Sequence, residues 1–103
     1  MKILCVCNKG NVRSVATKYC LNRRGHDDVI TVGCTLVSDE TIFMLSLWAD
    51  MILLAKPVHG KRIPDKFKDK INKSFTIGED RWGNPLNLML EEIINKELDL
   101  IGL

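Results

Sequence analysis

The chain alternates short apolar runs with longer stretches in which apolar residues recur every three or four positions, and this alternation predicts its elements. Lys2 to Val6 is a brief apolar run, partly β-branched, as expected of a strand buried on both faces of a parallel sheet. From Ser14 to Arg24, Ala16, Tyr19 and Cys20 fall at helical spacing while Lys18, Asn22 and Arg23 face elsewhere. Gly25 then suits the left-handed position that closes a helix. Asp28 to Gly33 predicts a second strand through Val29, Ile30, Thr31 and Val32. Ser38 or Asp39 can cap a second helix, whose residues Ile42 to Trp48 are apolar on nearly every side, which predicts a well-covered helix. The continuous apolar run from Asp50 or Met51 to Ala55 predicts a central third strand.

Pro57 suits the first turn of a third helix that Gly60 and Pro64 keep short or break in two. Ser74 to Ile77 predicts a brief fourth strand, and Gly78 to Pro85 is rich in turn formers. The last helix has Asn84 near its cap and Pro85 near its first position, with Leu86, Leu90, Ile93, Ile94, Leu98 and Ile101 along one apolar stripe. Strands alternating with helices imply an α/β fold in three layers, a four-stranded parallel sheet between helices joined by right-handed crossovers. No repeat, linker or low-complexity segment divides residues 1–103, so one domain is expected.

The junction of the first strand and first helix carries the candidate chemistry. Cys7-Asn8-Lys9-Gly10-Asn11-Val12-Arg13-Ser14 places a cysteine, five residues, an arginine and a serine between a strand and a helix. Successive backbone N–H groups curling into a helix N-terminus form a positive concavity that fits a phosphate, and the helix dipole points the same way. Arg13 adds a fork matched to two phosphate oxygens, and the same field favours the thiolate of Cys7. A cysteine alone is most often a buried structural thiol. Arg13 and Ser14 at these offsets make a nucleophile beside an anion cradle the better reading.

This loop resembles that of the low-molecular-weight protein tyrosine phosphatases, in particular a short bacterial and phage branch of predicted phosphatases. Asp80-Arg81-Trp82-Gly83 resembles the family's acid loop, and Trp48-Ala49-Asp50-Met51-Ile52-Leu53-Leu54 its entry to the third strand. Gly10-Asn11 lies one position later than the family's Gly-Asn pair, which displaces the asparagine that braces the loop. Arg81 stands where the family has proline, and Gly83 where it has a second aromatic residue. The resemblance implies strand order 2-1-3-4, which periodicity alone does not supply. It also implies a phosphocysteine route in which Cys7 is the nucleophile, the loop N–H groups and Arg13 bind phosphate, and Ser14 donates a hydrogen bond to the sulfur. Asp80 would protonate the leaving oxygen, a role that the turn-rich context by itself does not suggest; Glu79 is the nearest substitute. Trp82 would wall the substrate pocket or anchor its loop on the core.

Size and charge narrow the picture further. With 103 residues, 46% of them hydrophobic and 27% charged, the chain has an ordinary globular composition. No apolar run approaches the roughly 20 residues that span a bilayer, and no signal-peptide pattern opens the chain, so a cytoplasmic protein without membrane partners is expected. A net charge of +2 argues little for nucleic acid. Cys5, Cys7, Cys20 and Cys34 lack the paired spacing of a zinc site or a disulfide framework, so reduced thiols and no metal or other cofactor are expected. Between Lys56 and Lys73 seven Lys or Arg face two Asp, which reads first as a solvated face. His26 and His59 have no informative neighbours and receive no role.

The leading function is therefore a cysteine-dependent phosphate monoester hydrolase acting on a phosphorylated protein or small aryl phosphate, with inorganic phosphate or sulfate as a pocket ligand. Second stands a phosphate- or phosphopeptide-binding module with weak or no catalysis, suggested by the displaced Gly10-Asn11 pair. Third is a phosphocarrier subunit of a sugar phosphotransferase system, which would need neither Arg13 nor Asp80. A thiol-dependent arsenate reductase would require resolving cysteines near the acid loop, and none occurs after Cys34.

Overall fold

The computed structural model describes residues 1–103. Three parallel strands, β1 (Ile3–Cys7), β2 (Val29–Gly33) and β3 (Met51–Leu54), form one sheet in the order β2-β1-β3. The central strand pairs on both sides, Ile3 standing opposite Val29 in one ladder and Met51 in the other. All five β1 residues are buried, which explains why its sequence is an unbroken apolar run and not an alternating one.

Side chains of β1 divide between two cores. Ile3 and Cys5 point to a layer made by α1 (Arg13–Arg23) and α3 (Leu88–Leu100), where Ala16, Leu21, Leu90, Ile94 and Leu98 are buried. Leu4 and Val6 point the other way, to Ile42 of α2 (Asp39–Trp48) and to Ile63 and Phe67 of two short 3₁₀ turns, Pro57–Arg62 and Asp65–Lys70. The first crossover runs from β1 out to β2 and the second runs back from β2 past β1 to β3, so a common right-handed sense places α1 and α2 on opposite faces. The strands that follow β1 lie on opposite sides of it, which makes the β1–β3 boundary the switch point at whose C-terminal ends such sheets usually open a ligand crevice.

Several expected elements form as anticipated. Gly25, at φ +91°, closes α1, Ser38 caps α2 by accepting from Thr41 N–H at 3.2 Å, and the segment after Pro57 is indeed broken in two. Arg24 fastens α1 to α3, donating to Asn95 Oδ1 at 2.9 Å and to Asp99 Oδ1 at 2.8 Å.

Three expectations are corrected. The sheet has three strands: where a fourth was expected, residues 71–78 meet the outer edge of β3 at only two places. Asn72 N–H donates to Ile52 at 3.0 Å, and the N–H groups of Ile77 and Gly78 share the Ala55 carbonyl at 2.8 and 3.0 Å. The polar residues Lys73 and Ser74 stay exposed between those places instead of continuing a ladder. The helix α2 is not well covered; only Ile42 and Ser46 are buried, while Phe43, Met44 and Leu47 face outward because the sheet reaches just one side of it. The last helix starts at Leu88, with Asn87 as its cap, and Asn84 instead holds a turn by accepting from Leu86 N–H at 2.8 Å.

The side chain of Asn87 accepts from Met89 and Leu90 N–H at 2.9 and 3.2 Å, satisfying two first-turn donors of α3. Asn87→Ala is therefore expected to cost about 1 kcal/mol of folding free energy and Asn84→Ala distinctly less, measured by urea denaturation.

Candidate active site

The loop from Cys7 to Ser14 sits at the C-terminal end of β1 and opens into α1. Gly10 N–H donates to Cys7 Sγ at 3.1 Å, and Ser14 Oγ lies 2.6 Å from the same sulfur. Because the amide can only donate, the sulfur is already an acceptor, and a Ser14 hydroxyl donating to it would stabilise negative charge there. Val12 occupies the cap position of α1 and offers no side-chain acceptor, which leaves first-turn N–H groups of the helix available to an anion. Asn8, Lys9 and Asn11 are exposed, Gly10 and Val12 half-buried, so the loop is open to solvent while Cys7 is 2% exposed at its base.

Two glycines set the shape of this loop. Gly10 has φ +71°, and a Cβ there would lie 2.5 Å from Gly33 N and 2.7 Å from the Val32 carbonyl carbon. In return, a Cβ on Gly33 would meet the Lys9 carbonyl group. The loop backbone thus rests directly on the end of β2, an approach only paired glycines permit. Hydrogen bonds continue the contact, with Cys34 N–H donating to the Cys7 carbonyl at 2.9 Å and Thr35 donating to the Asn8 carbonyl through N–H at 3.0 Å and Oγ1 at 2.7 Å.

Arg13 is 1% exposed, an unusual place for a guanidinium. Its Nη1 donates to the Gly78 carbonyl at 2.7 Å, and its Nε is buried with no partner in the protein. A buried cationic donor left unpaired is costly, and an anion lying beside the guanidinium would relieve that cost. The bond to Gly78 also draws the segment after residue 77 to the loop.

That segment carries the expected acid. Asp80 lies two residues beyond Gly78, exposed and making no hydrogen bond or ion pair. Its neighbour Glu79 is paired with Lys56; the hydrogen bond and charge of Lys56 hold the Glu79 carboxyl below its ordinary range, so Glu79 is a poor proton donor. Trp82 packs against the α1–α3 core with the Arg81 guanidinium 4.9 Å from its ring centre, which anchors the loop.

His59, given no role from sequence, is a member of this site. Its Nδ1 accepts from Lys56 N–H at 3.2 Å, so Nε2 carries the proton of the neutral ring and donates to Asn8 Oδ1 at 2.9 Å. Burial, then the Arg13 and Lys56 charges, push the His59 pKa down and keep it neutral. The brace on the loop is thus a histidine fifty-one positions from its asparagine. A local signal did exist: His59 follows Pro57 at the third helical position, from which a side chain can reach back to the cap N–H.

All four cysteines are free and buried. Burial pushes the thiols of Cys5, Cys20 and Cys34 up, and Cys7 is the one cysteine whose sulfur the loop contacts. No group of three or more His, Cys, Asp or Glu side chains is placed to hold a metal ion, and no helix is long and apolar enough to cross a membrane. Compared with known proteins, the chain matches no family model, no curated protein and no solved structure.

Two outcomes follow from this geometry. Gly33→Ala should destabilise the protein by about 1–3 kcal/mol, seen as a lower urea midpoint, because the added carbon meets backbone that cannot rotate away. The His59 pKa is depressed in the fold, so its unfolded state takes up a proton first, and stability present above about pH 6.5 is lost as pH falls. Thermal melts from pH 7.5 to 5.5 should show this loss in the wild type and a shallower one in His59→Gln.

Proposed function

We propose that this protein is a cysteine-dependent phosphate monoester hydrolase of the kind its loop resembles, the low-molecular-weight protein tyrosine phosphatases. The observation that carries the proposal is the convergence of Gly10 N–H and the Ser14 hydroxyl on Cys7 Sγ at the start of α1, with the buried guanidinium of Arg13 in the same helix turn. On this reading the 71–78 segment stands in the fourth position of the order 2-1-3-4, and brings Asp80 to the strand ends where Cys7 lies.

In the first step the Cys7 thiolate attacks phosphorus as the bond to the leaving alcohol breaks. Asp80 gives its proton to the departing oxygen. Loop N–H groups and Arg13 hold the three equatorial oxygens, where charge is greatest in the transition state. In the second step water attacks phosphorus and loses a proton to Asp80. The P–S bond breaks, and its electron pair returns to a sulfur that Ser14 stabilises. Substrates are a phosphorylated protein or a small aryl phosphate; phosphate and sulfate compete for the loop.

A second reading, a phosphate-binding module with little turnover, draws on the commitment of Arg13 Nη1 to Gly78 and on the absence of any partner that aims Asp80. Turnover separates the two. Wild-type protein should hydrolyse an aryl phosphate without added metal, and Cys7→Ser should abolish turnover while Cys5→Ser, Cys20→Ser and Cys34→Ser keep it. Phosphate binding by an inactive wild type would instead favour the module.

Arg13→Lys should weaken both phosphate inhibition and turnover, since an ammonium cannot supply the fork. Asp80→Asn should lose about 10² to 10⁴ in rate on phenyl phosphate and much less on an aryl phosphate whose leaving group needs no proton. Equal slowing on both substrates would show that Asp80 is not the acid.

A further inference from the structure

The incomplete edge of the sheet leaves a second concavity, away from the Cys7 loop. Between the two places where residues 71–78 touch β3, the chain stands off the strand, and a cavity of about 460 Å³ opens there. Leu54, Ile71 and Phe75 give it an apolar interior. Gly60 keeps it open from the side of the first 3₁₀ turn, where a Cβ would lie 3.2 Å from Leu54 Cδ1 and 3.7 Å from Ile71 Cδ1. No residue of the Cys7–Ser14 loop lines it.

The charges around this cavity are not those of an evenly solvated face. Of the seven cations between Lys56 and Lys73, most are engaged elsewhere. Lys56 pairs with Glu79 and Arg62 with Asp39. Lys70 caps the end of α2 through the Ser46 and Leu47 carbonyls, and Lys66 lies over the rings of Phe43 and Phe67. Lys61 and Lys73 make no ion pair or hydrogen bond, and both border the cavity. Lys68, also at the border, has only an exposed pair with Asp65 at 3.1 Å, a contact of little strength in water. The cations left free are therefore gathered at the mouth of an apolar hollow.

We infer that this cavity is a binding site for a small amphipathic anion, a molecule with a short apolar body and one carboxylate or similar anionic group. The body would cover Leu54, Ile71 and Phe75, and the anionic end would lie between Lys61 and Lys73. The volume falls within the range of small-molecule sites. The lysine stems add apolar surface at the mouth while their ammonium groups stay hydrated, an arrangement that suits a ligand of this kind better than a wholly polar anion.

Octanoate is a direct probe, with octan-1-ol and octyltrimethylammonium as neutral and cationic counterparts of the same chain. Titration of ¹⁵N-labelled protein with octanoate should move the amide signals of Gly60, Lys61, Asn72 and Lys73 saturably. Octan-1-ol should bind at least about tenfold more weakly, and octyltrimethylammonium should produce no saturable shift at these positions. Lys61→Glu with Lys73→Glu, both exposed and so harmless to folding, should weaken octanoate by at least about tenfold with the rest of the spectrum preserved. Gly60→Leu, which fills the hollow, should abolish binding. The inference is overturned if octanoate gives no saturable shift, if its shifts gather at Cys7–Ser14, if octan-1-ol binds equally well, or if the double variant binds unchanged. Inorganic phosphate, a polar anion, should move the Cys7–Ser14 signals and leave the cavity signals still, so failure of one site is distinguishable from failure of the other.

Discussion

Everything in this protein hangs from the burial of one strand. All of β1 is enclosed, its alternate side chains feed two separate cores, and both ladders of the sheet run through it. A shift of one residue would exchange Ile3 and Cys5 with Leu4 and Val6 and mismatch both cores together, so its register is strongly fixed. Cys7 is the last residue of that strand. The position of its sulfur is therefore set by a backbone paired on both sides and packed on both faces, and the loop inherits that placement at its root. The same logic explains how a chain of 103 residues can hold a buried arginine: α1 starts immediately beyond the loop and is packed along the sheet by Ala16, Cys20 and Leu21.

What the sequence made legible follows from whether a local pattern carried the information. The runs of β1, β2 and β3 and the spacing of α1 announce their elements because burial on one or both faces is written into consecutive residues. Patterns mislead where the decisive fact is what lies opposite. Ile42 to Trp48 looks like a helix enclosed on every side, yet only one layer of sheet is present to enclose it, and Met44 is 67% exposed. Residues 74–77 have the composition of a strand, but the edge of β3 is short and the chain meets it only at Ala55 after leaving it at Ile52. At the last helix two asparagines compete. Asn84 precedes a proline and takes the turn, and Asn87 takes the cap.

The candidate site divides along the same line. Cys7, Gly10, Arg13 and Ser14 fall in one short stretch, so their conjunction could be seen in the sequence. Of His59 only the capping position after Pro57 was local; its contact with Asn8 was not, since only the fold brings the two together. Its position also gives the first 3₁₀ turn two faces of different character. His59 looks inward to the loop, and the next two residues, Gly60 and Lys61, border the hollow beside β3. One turn of six residues therefore separates two concavities of the molecule.

The interlocking of Gly10 with Gly33 bears on how the protein comes into being. During synthesis the cysteine and arginine leave the ribosome early, at the end of the first strand and the start of the first helix, but the surface that gives their loop its curvature is the end of a strand made about twenty residues later. Until β2 has docked beside β1, the loop has nothing to rest on, and its two glycines are merely flexible. An emerging chain therefore exposes a thiol without a formed loop around it, and the loop is completed by a long-range event instead of by its own residues. Any ligand of the loop would consequently bind the finished sheet and not its precursors, and would draw the folding equilibrium toward it by mass action.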